Sequence, residues 1–144
     1  MSALLTGKAV LFEWIRSKRR MTLLAIGLSA VGIYEAARAW YRPFVYSQGL
    51  NDFHVADTLG NSLGTIATVL VFGSIFGRFH IQTLFVLRAA AMAVVVYELL
   101  HPLLGKPIDP FDLLATVLAG LICQGVYYWV YHRQLALERS RSEA

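Results

Sequence analysis

The chain has 144 residues, 57% of them hydrophobic and 15% charged, with a mean hydropathy of +0.55. A soluble domain carries about 25% charged residues and about 45–50% apolar ones, so there is too little polar surface here for a water-soluble monomer. A single cysteine, Cys123, excludes an internal disulfide framework and a cysteine-based zinc site, and the net charge of +4 acquires meaning only from its distribution.

Residues 1–20 read as an amphipathic, basic helix lying on the bilayer surface. Leu4, Leu5, Leu11, Phe12 and Ile15 share one face, Lys8, Arg16 and Lys18 another, and Trp14 suits the headgroup level. A cleavable signal peptide is the competing reading, disfavoured by the long basic lead and the lack of an A-x-A-like site. Crossing the hydrocarbon takes about 20 predominantly apolar residues. Four stretches qualify: 21–41, 55–77, 81–101 and 111–131. The expected fold is therefore all-α, an integral membrane bundle of four transmembrane helices behind an interfacial helix. The first hairpin occupies 21–77, the second 78–132, and a short cytoplasmic tail 133–144.

Basic residues set the orientation. Lys8, Arg16, Lys18, Arg19, Arg20, Arg78, Arg133, Arg139 and Arg141 fall on the side of the termini and of the loop after the second span. The expected topology is multi-pass, with both termini cytoplasmic. The acids sort oppositely: Glu35, Asp52, Asp57, Glu98, Asp109 and Asp112 gather at the outer ends of the spans.

The chain also repeats itself. Val31-Gly-Ile-Tyr34-Glu35 recurs at an offset of 63 as Val94-Val-Val-Tyr97-Glu98, and Asp57-Thr-Leu59 with Leu63 recurs at an offset of 55 as Asp112-Leu-Leu114 with Leu118. Each copy is a helix with Tyr-Glu near its outer end, a loop, and a returning helix that opens with Asp. Both run out and back, so they are parallel repeats about an axis along the membrane normal.

Carboxylates in hydrocarbon are costly and normally face the bundle interior, find a partner, or mark a site. Glu35 lies about 9 Å below the expected span end at 1.5 Å per residue, and Glu98 is shallower. Asp57 and Asp112 have a simpler role open to them as first-turn residues favoured by the helix dipole. Arg38 follows Glu35 by three residues and His101 follows Glu98 by three; His54 precedes Asp57, and Asp109 precedes Asp112, at the same spacing. These pairs share helix faces. The expected ligand-binding set is thus Glu35, Arg38, His54, Asp57, Asn61, Glu98, His101, Asp109 and Asp112. Glu-x-x-His has the spacing of carboxylate-bridged metal bundles, but the first copy offers Arg38 in place of the second His, so no metal and no cofactor is assigned. Asn61 and Gly64, with Gly60, Gly73 and Gly77, read first as close helix packing, Arg88 as a snorkelling cation, and Cys123 as a small packing residue.

The stretch His54-Val-Ala-Asp57-Thr-Leu-Gly-Asn61-Ser-Leu-Gly64 resembles the VanZ-like signature D-x-x-D-x-x-x-N-x-x-G, with His54 in place of the first Asp. Tyr97-Glu98-Leu-Leu-His101 followed by Asp109-Pro-Phe-Asp112 and Thr116 is similar to the same region, with His101 for a usual Gln and Thr116 for Asn. The resemblance covers roughly 31–70 and 94–121. VanZ-like proteins are small bacterial membrane proteins, and the named member is associated with resistance to the glycopeptide teicoplanin. The resemblance therefore implies a cell-envelope setting in the bacterial cytoplasmic membrane and a link to antibiotic resistance.

The leading expectation is an envelope protein whose outward-facing, carboxylate-rich pocket binds an amphiphile or lipid headgroup. The alternative is a structural accessory subunit of a larger membrane complex. Expected partners are membrane lipids, a lipid-linked or amphiphilic ligand, and other membrane subunits. The absence of a nucleophile motif weighs against a hydrolase or phosphatase. Proton or cation transport lacks a charged path below the two Glu residues. The basic residues, clustered beside the membrane without a reader motif, suit anionic lipid rather than nucleic acid.

Overall fold

The computed structural model describes residues 17–142, so residues 1–16 of the expected interfacial helix lie outside the described part. Within it the chain is helical: α1 (Lys18–Ala36), a π-helical turn (Ala37–Tyr41), α2 (Arg42–Gln48), α3 (Val55–Phe76), α4 (His80–Leu99), a 3₁₀ turn (His101–Leu104) and α5 (Pro110–Ser142). Four helical segments are long and apolar enough to cross a membrane: Lys18–Gln48, Val55–Phe76, His80–Leu99 and Pro110–Ser140. This is a multi-pass helical membrane protein.

The spans sit where hydropathy put them, but their ends differ. The first was expected to stop at Tyr41, ahead of Arg42-Pro43. Instead the helix widens, the Arg42 N–H donating to the Ala37 carbonyl five residues back, and continues as α2 to a left-handed Gly49 cap (φ 60°). A proline inside a helix lacks a donor and its ring presses on the carbonyl four residues earlier. The π turn just ahead of Pro43 is the usual way of absorbing such an insult without breaking the helix. The loop expected over 42–54 therefore shrinks to 49–54. At the other terminus, α5 runs unbroken to Ser142 through the residues expected to form a tail.

Helix α3 is the centre, packing against α1, α4 and α5; α5 also packs on α4, and α1 meets α5 only slightly. Lipid is as apolar as leucine, so helix association in a membrane depends on close approach rather than on a hydrophobic drive. Glycines supply it. A Cβ on Gly27 of α1 would stand 2.9 Å from Val71 Cγ2 and 3.3 Å from the Val71 backbone nitrogen. One on Gly73 would stand 2.5 Å from Leu87 Cδ2, and one on Gly120 3.1 Å from the Ala91 Cβ. Leu23, Val69, Leu70, Leu87, Ala90, Cys123 and Tyr127 fill the core between these approaches.

Two polar clamps hold the end opposite the carboxylates. Arg20 Nε donates to the Ser74 carbonyl (2.7 Å), Arg20 Nη2 to the Ile75 carbonyl (2.5 Å), and Arg19 Nη2 to the Arg78 carbonyl (2.8 Å). The last carbonyls of a helix have no partner within it and carry its negative pole, so Arg20 satisfies α3 as well as tying α1 to it, and Arg19 ties α1 to the turn that follows. Ser74 Oγ returns a bond to the Arg20 carbonyl (2.9 Å). Beside them Tyr127 is fully buried, its hydroxyl 2.9 Å from His80 Nδ1, with Tyr131 stacked on the His80 ring at 4.0 Å.

The α1–α3 seam gives a direct test. Gly27→Leu should destabilise the protein in detergent by about 1–3 kcal/mol through overpacking, whereas Gly32→Leu, whose Cβ meets nothing within 4 Å, should leave the thermal midpoint near wild type.

Candidate functional site

The carboxylate end is built by the two loops that start α3 and α5. Gly49 turns the chain; Phe53 and His54 then follow in left-handed backbone, at φ 56° and 64°, a conformation that costs non-glycine residues energy and is held by its surroundings. Asp52 provides the hold. Its Oδ2 accepts the Ala56 N–H (2.6 Å) and the Tyr41 hydroxyl (3.1 Å). Asp52, not Asp57, thus satisfies an orphan donor at the start of α3. In the second copy Asp109 takes this duty, Oδ1 accepting the Phe111 N–H (2.8 Å). Three residues before Asp112, the stretch that opens α5 has the capping Asp109. The first copy has His54, which makes no side-chain cap, and Asp52 reaches in from two residues earlier.

Freed from capping, the second aspartate of each pair serves elsewhere. Asp57 is exposed; its Oδ1 accepts the Tyr46 hydroxyl (2.5 Å) and its Oδ2 lies 3.3 Å from His54 Nδ1, while Arg42 Nη2 donates to the Tyr46 oxygen (3.4 Å). The His54 ring stacks on Phe111 at 4.7 Å, joining the two loops. Asp112 turns inward. The Asn61 side chain of α3 lies beside it, and its Oδ1 is buried without a partner.

Glu98, in the last turn of α4, is only 4% exposed. Its Oε2 lies 3.3 Å from His101 Nδ1, and Asp109 and Asp112 stand within electrostatic reach. Tyr97 sets its ring edge-on to His101 at 5.1 Å. Asn61, Glu98, His101, Asp109 and Asp112 therefore form one inner cluster, with His54 and Asp57 beside it. Among the described residues no group of three or more His, Cys, Asp or Glu is arranged to hold a metal ion.

Glu35 and Arg38 stand apart from the inner cluster. They form an ion pair at 2.7 Å, with side chains 51% and 61% exposed respectively. The Tyr-Glu copies thus occupy different environments, because α4 is clasped between α3 and α5 while α1 packs on α3 and presents its far side. A two-fold relation would make α5–α1 as close as α3–α4, which it is not.

A groove of about 390 Å³ descends from Glu98 and Asn61 between α3 and α4. Gly60, Gly64, Ala90 and Ala93 keep it open, Thr65 and Thr68 line its middle and Phe72 closes it. Gly64 was read as a packing residue, yet a Cβ there would meet nothing within 4 Å: its missing side chain makes space. The Thr65 hydroxyl is spent on the Asn61 carbonyl (2.6 Å), leaving that wall apolar. A polar head with a buried carboxylate thus tops a narrow, mostly apolar slot.

Sequence reasoning missed Asp52, Tyr46 and Tyr41 as organisers of the loop, and the His80–Tyr127–Tyr131 stack. For the stack the signal was present: Tyr127 and Tyr131 are four residues apart and share a face.

Fold and site together define a small multi-pass helical membrane protein with a carboxylate cluster at one end. Comparison with protein-family models, curated proteins and solved structures finds no match.

Asp52→Ala should cost about 1 kcal/mol of stability and speed amide exchange in the first turn of α3. Asp57→Ala, which removes no cap, should leave that exchange unchanged.

Proposed function

We propose that this chain is a VanZ-like cell-envelope protein that binds an amphiphile, its headgroup against the carboxylate cluster and its chain in the α3–α4 groove. The observation that carries this reading is the buried Glu98 carboxylate opening directly onto a mostly apolar slot. A charge in such a place needs a partner or a ligand, and the cluster sets Glu98, Asp109 and Asp112 against the single imidazole of His101. Its complement is a headgroup with a positive centre, such as an ammonium. Asn61 lies beside Asp112, and Tyr97 flanks both the slot and His101.

The distribution of Lys and Arg supports both termini on the cytoplasmic side, which turns the cluster outward, and the VanZ-like resemblance supports a bacterial cytoplasmic membrane. Asp57, Asn61 and Gly64, which match the signature, support a link to glycopeptide resistance. One feature favours the alternative role as an accessory subunit: the half-exposed Glu35–Arg38 pair lies within a span, where a neighbouring subunit would cover it.

Binding of dodecylammonium against uncharged dodecanol, measured on the detergent-purified full chain by native mass spectrometry, tests the proposal. Wild type should prefer the ammonium by about tenfold, and Glu98→Gln, which keeps shape and loses charge, should abolish the preference, a change of about 1.4 kcal/mol. Glu35→Gln should leave it intact. No preference in wild type, or equal loss in both variants, rejects the groove as the site.

A further inference from the structure

A second groove runs along the lipid-facing seam between α4 and α5. It also encloses about 390 Å³, but its chemistry is reversed. Ala91, Val95, Val117 and Leu121 form its walls, and Arg88 and Gln124 stand at the end nearer the tight α3–α4 turn. The close Gly120–Ala91 approach forms its floor and keeps the helices from opening further.

Arg88 lies about 12 Å along α4 from His80 at 1.5 Å per residue, inside a span, with its side chain exposed. Its Nε donates to Gln124 Oε1 (3.2 Å). That uses one of five guanidinium N–H groups, and among the described residues no carboxylate comes within 4.0 Å of it. The other arginines with described contacts differ: Arg38 has Glu35, Arg42 has Tyr46, Arg19 and Arg20 have backbone carbonyls, and Arg133 lies over Trp129. An intramembrane cation whose charge is not matched within the protein calls for an anion from outside it.

We infer that this groove holds an anionic phospholipid, its phosphate on the Arg88 guanidinium beside the Gln124 amide and one acyl chain along Ala91, Val95 and Val117. Arg88 to Val95 spans about 10 Å of helix, a slot for the upper part of a chain pointing toward the bilayer centre. Its open end faces the side where Lys18, Arg19, Arg20, Arg78 and Arg133 gather, and basic pockets between helices at such a surface attract anionic headgroups. Charge complementarity selects the occupant: the α3–α4 groove offers carboxylates and this one a guanidinium, so α4 separates two slots of opposite sign. A partner helix bearing a carboxylate is the competing occupant.

Native mass spectrometry of the full chain in neutral detergent, with phosphatidylglycerol against phosphatidylcholine of identical acyl chains, tests the inference. Wild type should retain phosphatidylglycerol about fivefold better, the effect of one basic residue near an anionic headgroup. Arg88→Gln should retain the two lipids equally, Arg88→Lys should keep most of the preference, and both should bind dodecylammonium as wild type does. Val117→Trp, which fills the slot and leaves Arg88 in place, should also lose phosphatidylglycerol; it carries the test if Arg88→Gln fails to fold. Equal retention by wild type and Arg88→Gln overturns the site. So does an oligomer that depends on Arg88 and takes up no phosphatidylglycerol.

Discussion

The close approach of α3 to three neighbours is the constraint on which the bundle depends. In lipid there is no water to expel, so helices stay together only where backbones approach closely or polar groups meet. Gly27 and Gly73 create the approaches to α1 and α4, against Val71 and Leu87, and Gly120 brings α5 against α4 at Ala91. Because α3 contacts α1, α4 and α5 along its length, any feature it carries is presented to the whole molecule. Asn61 reaches Asp112 from it, and Gly60 and Gly64 hollow the slot beneath Glu98.

The second theme is that every polar group in the spans has been given a task or left as a site. Arg20 satisfies the last carbonyls of α3, Arg19 the Arg78 carbonyl just beyond it, and Ser74 returns a bond to α1. Asp52 and Asp109 cap the two returning helices. Thr58, Thr65 and Thr83 return their hydroxyls to carbonyls one turn back. Among the described residues the exceptions are the Arg19 Nε, Asp112 Oδ1 and Thr116 Oγ1 atoms, buried without partners, Glu98, whose ion pair is with a histidine, and Arg88, which bonds an amide and no carboxylate. Glu98 lines the first groove, and Arg88 and Thr116 line the second. Functional readings of a membrane protein rest on such residues, because an intramembrane charge persists only where something compensates it.

The recurring Tyr-Glu and Asp motifs read as a duplication in sequence, but the two Tyr-Glu sites are not equivalent in structure. A helix in the middle of a bundle and one at its edge have the same sequence period and hydropathy, yet Glu98 is buried and Glu35 exposed. Asp57 and Asp112 do lie in the first turns of α3 and α5, but spacing did not show which acid caps α3: loop geometry brings Asp52 to the Ala56 N–H through two left-handed residues. Gly64 shows the same ambiguity: a missing side chain permits either contact or space, and only the position of the neighbouring helix decides.

By itself the sequence determined the class of protein. Four long apolar stretches in a chain with 15% charge leave no soluble alternative, and hydropathy is a property each segment carries alone, so the spans were readable to within a few residues except where α2 and α5 run on. The sequence also showed that acids and bases are sorted to opposite ends, since alternating helices deliver successive loops to alternate sides. Tertiary structure decided which charges meet. Rotation of each helix about its axis, set by glycine approaches to α3, put Glu98, Asp112, Asn61 and His101 together, left Glu35 with Arg38 on the outside, and exposed Arg88 at the seam. Those rotations depend on contacts between segments far apart in the chain, which no local pattern encodes.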